Sequence, residues 1–518
     1  MPLVLLLTPL PAGQLAGQDA GDSAPWFGLT PPRGLEPPPI REATARSGFS
    51  PEAVTVPPDD PVAPELAGAR IRQDLLTITG FSRASRSRGD QLWGRVSGFR
   101  SGMEVISWAA DQFRLAGIRD VSVQRFGASS EMWWPESWEV TLLKNTASGR
   151  ESAGIPLASA LPVSGSTLSG GPIVAPLVEV ASSNGFGADF ATVDVRGKVA
   201  VQQIRLFSQT ETEWQWAGRR SRALIARGAL GVINVVDLPG NMHVLEDGGC
   251  RGLCFNLGSA DGEFLLRVMR NAATAGAEEP RIRLRVDASR RVGMRAANTV
   301  AVIPGNSAEA IVITAPIDGW FEAAGDHGDA LAVMMSLARH FAKAENRPER
   351  TLVFVASAGQ NSQGLDGATN FVRMNRDLLR TAVAVLDLAN VAQFRTDRYP
   401  WDILPSEETM TVRITGGGQF LDDVSRRGVA RYGFRARIAP DTGMDAFADG
   451  LVPGVAGRTG GFSDAGVPVV RISHEGMLLH TTGDMVETIS TPGLERAARF
   501  VAYFVRQLDT APVRMINP

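Results

Sequence analysis

From residue 298 onward, short apolar runs alternate with amphipathic segments. NTVAVIPG (298–305), EAIVITAPID (309–318), TLVFVASAG (351–359) and TAVAVLDLANV (381–391) read as strands, as does VPVVRIS (467–473). Between them DALAVMMSLARHFAKA and GATNFVRMN carry helical spacing, and Pro492 to Leu508 predicts a closing helix. Strands that are apolar on both faces, alternating with helices, imply a sheet covered on both sides. In such sheets ligands bind beyond the carboxyl ends of the strands. Asp318, Gln360 and Asp387 stand at those ends.

The earlier chain has a different texture. Two amphipathic helices are expected, at 64–79 and at 102–116, the second with Gly117 just past its end. From about Gly154 to Arg291, frequent glycines and alternating apolar positions predict a β-rich unit with a helix or two. SRALIARGALGVINVV reads as helix, break and strand, and LCFNLGSADGEFLLRVM as strand, turn and helix. Residues 18–63, with PPRGLEPPP at the extreme, are read as an extended linker or arm. MWWPESWEV and EWQWAG are read as loops, whose tryptophans fill cores or form an aromatic rim.

Composition narrows the function classes. The chain has 518 residues, 44% hydrophobic and 21% charged, with a net charge of -3. Nothing in that balance points to nucleic acid or to an acidic membrane surface. The densest basic patch, Arg83 to Arg100, reads as a solvated loop and helix start. Residues 1–17 carry a short apolar run followed by small residues, the pattern of a signal peptide, though no Lys or Arg precedes the run. The run is too short to span a bilayer, and no integral membrane segment is expected. The two cysteines, Cys250 and Cys254, could pair locally in an exported protein and do not make a zinc site. A serine-hydrolase elbow fails at Ala465 in Gly461-Phe-Ser463-Asp-Ala465, and no glycine-rich phosphate loop is present.

Five segments in order carry a more specific signal: NTVAVIPGNSAEAIVITAPIDGW, AAGDHGDALAVMMSLAR, RTLVFVASAGQNSQGLDGATNFV, AVAVLDLANV and GVPVVRISHEGMLLHTTGDMVETI. Their order and spacing resemble the co-catalytic zinc exopeptidases, the family of bacterial leucine aminopeptidases, plasma glutamate carboxypeptidase and glutamate carboxypeptidase II. The resemblance implies an α/β fold, a mixed sheet sandwiched by helices, with an inserted β-rich protease-associated domain at 154–291. Residues 64–153 and 292–518 would then form the peptidase-like domain.

The resemblance also implies a site, and this chain departs from it. The aspartate bridging two zinc ions falls on Asp326, the strand-end ligand on Asp387, the late histidine ligand on His480, and the aspartate orienting the first histidine on Asp318. That first histidine is Pro316 here, and the paired glutamates, base then ligand, are Gln360 and Asn361. Proline has no lone pair for a metal, and the Gln360 amide cannot take a proton from water at neutral pH. Each ion would keep two good protein ligands where catalytic zinc sites use three. Losing a general base alone costs on the order of 10²- to 10⁴-fold.

The expectation is therefore an exported exopeptidase relative with zinc weakly held or absent, impaired in catalysis, that binds a peptide or protein. The alternative is an active zinc aminopeptidase or dipeptidase with a metal site rebuilt from His327 or His474, with Asp329 and Glu475 nearby. A third reading gives the arm and the inserted unit an assembly role, homo-oligomeric or with a partner, and a vestigial cleft. Residues 392–450 are read as a lid or subunit contact.

Overall fold

The computed structural model describes residues 26–40, 56–143, 154–168, 170–180, 192–205, 212–246, 249–398, 401–440, 460–473 and 476–518. The leader-like residues 1–17, His474 and Glu475 lie outside them, as does much of the arm.

The larger sheet runs in the order β16 (Phe394–Arg398), β17 (Trp401–Thr415), β19 (Val469–Ser473), β15 (Ala382–Leu388), β12 (Ser307–Pro316), β14 (Arg350–Ser357), β11 (Arg295–Ile303) and β2 (Asp120–Gly127), with β18 (Arg435–Pro440) beside β17. Its centre, β19-β15-β12-β14, is parallel, and β17 and β11 flank it antiparallel. The alternating apolar runs mark these strands because both faces are covered. Ile311, Ile313, Leu386 and Val470 face one core with helices α1 (Gly68–Ser87), α2 (Arg100–Leu115), α5 (Asp329–Ala342) and α8 (Thr491–Thr510). Val312, Val353, Val385 and Val469 face the other, where Phe371 of α6 (Gly367–Met374) and Phe462 pack. α2 stops where expected: Gly117 follows with φ 92, a left-handed turn that a side chain would resist.

The second sheet has the order β4 (Ile155–Pro156), β3 (Met132–Leu143), β10 (Arg281–Arg291), β6 (Ile173–Val180), β7 (Val199–Ile204), β8 (Gly231–Val236), β9 (Cys254–Leu257) and β5 (Leu161–Pro162). α4 (Ser259–Thr274) covers one face through Phe264, Leu265 and Val268, and α3 (Thr212–Ala226) meets the other through Leu224. The sheet draws in β3, which precedes residue 154 and pairs with β10 over its whole length. The tryptophan-rich stretches are regular structure rather than loops. MWWPESWEV forms most of β3, and EWQWAG lies in α3, where only the wider amphipathic window shows the helix. In β3 the Trp133 and Trp138 indoles donate to the Ser166 and Ala160 carbonyls.

Leu92, Trp93, Leu161 and Phe321 bridge the two sheets, joined by Trp134, Trp138, Leu245 and Trp320. Described parts of the arm are also held. Trp26 and Leu29 pack on the second sheet's core, and Asp60 is buried against Arg431, Arg499, Arg506 and the Tyr432 hydroxyl. Arg431 and Tyr432 belong to α7 (Gln419–Tyr432). Cys250 and Cys254 form a disulfide. Among the described residues no helix is long and apolar enough to cross a membrane.

Candidate functional site

The carboxyl edge of the parallel strands collects most of the residues singled out from the sequence. After β12, the chain turns through β13 (Gly319–Trp320), which pairs with β1 (Gly94–Arg95), and enters the 321–328 loop before α5. Phe321, Ala323, His327 and His480 all hold positive φ, four of five such non-glycine residues described. Backbone of that kind persists only where the surroundings over-determine it.

Here the surroundings centre on Arg95. The densest basic patch is not simply a solvated surface: Arg95 is fully buried under the loop. Its Nε donates to the Ile317 carbonyl, Nη1 to Ser82 Oγ and the Glu322 carbonyl, and Nη2 to the Ala323 and Asp326 carbonyls, all at 2.9–3.0 Å. All five guanidinium donors are thus used. Burial pulls its pKa below the ordinary arginine value, against the pull of Asp326, Asp484, Asp318 and Asp329.

Asp326 lies at the centre. Its Oδ2 accepts from Asn361 Nδ2 at 2.9 Å and from the Trp320 amide at 3.3 Å, and stands 3.7 Å from His480 Nε2. Its amide donates to Asp484 Oδ2 at 2.7 Å, and Asp484 Oδ1 accepts from the Gly325 amide and from Gln393 Nε2. Burial would raise the Asp326 pKa, but His327, His480 and Arg95 hold it below the usual carboxylate value. Asp484 is pushed up to about 7 by burial and by the Asp326 charge. Asp329, at the start of α5, is pushed up to about 8, mainly by burial, although the Val391, Ala392 and Ala330 amides donate to it.

Asp318 binds backbone amides. Its carboxylate accepts from the amides of Gly359, Gln360 and Asn361 at 3.1–3.2 Å, so it caps the turn after β14. Burial and the neighbouring Asp326 raise its pKa. Pro316 closes β12 opposite Ser357, buried, with its ring in the strand. Asp387 is fully buried in β15 with the Arg471 guanidinium 3.8 Å away. His327 turns Nδ1 to the Asp318 carbonyl at 2.8 Å, with Asp326 Oδ1 at 3.3 Å. His480 Nδ1 meets Glu246 Oε1 at 2.7 Å. Burial would lower its pKa, but Glu246 and Asp326 raise it to about 10.

Asp326, Asn361 and His480 are therefore in one cluster, with Asp318 holding the backbone of Gln360 and Asn361. Arg95, Glu246 and Asp484 were not foreseen. The apolar neighbours Leu92, Trp93 and Val96 were a signal that Arg95 lies inside, whereas nothing local marks Glu246. Among the described residues no three His, Cys, Asp or Glu side chains form a group that could hold a metal ion.

Residues 298–505 match the model of peptidase family M28. The chain carries a domain of that family. The M28 region spans the larger sheet from β11 to α8 and contains every site residue except Arg95 and Glu246. Solved structures share the fold at low identity. A peptidase M28 precursor from Shewanella amazonensis SB2B aligns with a TM-score of 0.60 at 15% identity, over 87% of this chain and all (100%) of that one. A zinc aminopeptidase from Bacillus subtilis gives 0.57 at 19%, over 86% and 98%. An aminopeptidase from Aneurinibacillus sp. strain AM-1 gives 0.54 at 18%, over 88% and 97%. No curated protein matches the chain.

Proposed function

We propose that this M28 chain is exported, binds a peptide or protein in its cleft, and has lost hydrolysis by a zinc pair. The observation that carries this reading is the Asn361 amide donating to Asp326 Oδ2 at 2.9 Å. In the other amide orientation a carbonyl oxygen would face a carboxylate, which is repulsive, so the donor orientation is the stable one. A zinc ligand must offer a lone pair, and if turned over this amide would offer only an uncharged carbonyl oxygen, which suits harder ions than zinc. Pro316 removes a second ligand, and Gln360 cannot act as base. The donor set does not fit two zinc ions.

The second sheet is assigned as a protease-associated domain on the sequence resemblance, and the relatives' aminopeptidase activity makes peptides the first ligands to try. The test is hydrolysis of an aminoacyl and dipeptide panel by purified protein, with peptide binding followed alongside. Binding without turnover is expected. Turnover abolished by chelator and by Asp326→Ala would overturn the reading. For the rebuilt-site alternative His327 stands beside Asp326, but its Nδ1 donates to the Asp318 carbonyl at 2.8 Å, so only Nε2 could serve as the ligand atom. Zinc-dependent turnover that His327→Ala removes would establish it.

A further inference from the structure

A segment of the second sheet's unit grips the loop that carries His480. His243 N–H donates to Thr482 Oγ1 at 3.1 Å, and Thr482 N–H returns to the His243 carbonyl at 3.1 Å. Val244 and Thr481 form an antiparallel bridge, and Leu245 N–H donates to the His480 carbonyl at 2.9 Å. Glu246 then places Oε1 2.7 Å from His480 Nδ1. His480 itself has φ 57, a backbone held by these contacts rather than preferred by the residue.

The gripping segment is itself braced from behind. Asn256 Nδ2 donates to the Val244 and Glu246 carbonyls at 3.0 and 2.8 Å. Asn256 Oδ1 accepts from Asn234 Nδ2 at 3.0 Å, and Asn234 Oδ1 from Gln202 Nε2 at 2.7 Å. All three amides are buried in β9, β8 and β7, so a polar ladder crosses the second sheet and ends at Glu246. With a carboxylate on Nδ1, the imidazole cannot turn over without losing that bond. Nε2 therefore stays toward Asp326 Oδ2 at 3.7 Å, too far for a direct hydrogen bond and wide enough for one polar ligand atom to reach both groups.

We propose that Glu246 is a positioning residue of the cleft, which fixes the His480 ring and makes the second sheet's unit part of the ligand site. The ligand part of this inference rests on the peptide-binding reading above. The experiment uses the full chain as wild type, Glu246→Gln, Glu246→Asp and Glu246→Ala. Binding of a panel of fluorescein-labelled tri- to pentapeptides is followed by anisotropy, and the His480 ring nitrogens by NMR.

Gln keeps an acceptor at the same reach but not the charge, so binding within about threefold of wild type and a retained but shifted Nδ1–H signal are expected. Ala removes the acceptor and Asp withdraws it by one methylene. Both should weaken the peptide that wild type binds by about tenfold or more, the scale of a hydrogen bond to a charged group, and both should lose the signal. A purely packing role would tie any loss of binding to thermal stability and would leave the Nδ1–H signal of the Ala and Asp variants as in wild type. Unchanged binding and an unchanged ring signal in the Ala and Asp variants would overturn the proposal. If wild type binds no peptide of the panel, the peptide-binding reading fails, while the ring signal alone still decides whether Glu246 holds His480.

Discussion

At Asn361 a single amide decides what the cluster can hold. The side chain donates to Asp326 Oδ2 and its backbone N–H is capped by Asp318, so the residue is fixed from both ends. Asn361→Glu would set a second carboxylate against Asp326, whose charge His480 and Arg95 already offset, and would replace a donor with a repelling group. In metal-free buffer we expect it to destabilise the protein by about 1–3 kcal/mol, the range for leaving a buried polar group without its partner. Added zinc should recover part of that loss, because the new carboxylate supplies a ligand. Thermal melts with and without zinc check this, and a variant as stable as wild type without metal would show that the Asn361 bond matters little. The substitutions at 316, 360 and 361 were legible in the sequence because they are identities. What replaces the missing ligands was not, since it depends on which way an amide points.

At the scale of elements, the apolar runs located β11, β12, β14, β15 and β19 and the helices between them, because each strand is covered on both faces and tolerates little else. The failures came where a segment's environment is set by distant chain. Arg95 sits in an arginine-rich stretch, yet five acceptors converge on it from Ser82 and residues 317–326. The tryptophan stretches look irregular alone and become a strand and a helix once β10 and the second core are present. The same convergence gives the site loops a pH signature. Asp329 and Asp484, at about 8 and about 7, keep protons in the folded state that the unfolded chain releases near pH 4. Their contribution is full below that value and is lost as pH rises through 7 to 8. His480, at about 10, holds its proton above the unfolded value near 6.5, so its contribution fades between about 6.5 and 10. All three act in the same direction, and the melting temperature should fall from pH 6.5 to 10. A flat or rising profile by calorimetry would contradict this.

Across the whole molecule, the two sheets and the described parts of the arm act on one another more than a linear reading of domains suggests. A Pro-rich segment predicts an extended arm, but its far end is anchored by Asp60, 2% of whose side chain is exposed among three arginines and a tyrosine. Arg431 keeps Asp59 and Arg499 keeps Glu495, so Asp60→Ala removes charged hydrogen bonds without stranding a buried charge and should cost about 1.5–3 kcal/mol, readable in denaturant melts. Loss of under 1 kcal/mol would mean the anchor is incidental. The central claim, however, concerns metal. Purified protein should be stripped, dialysed against a modest excess of zinc, and its bound zinc counted by mass spectrometry beside a Pro316→His, Gln360→Glu, Asn361→Glu triple variant. The account predicts well under one zinc per chain for the wild type and a clear gain for the triple variant. Two tightly held zinc ions in the wild-type chain would contradict it.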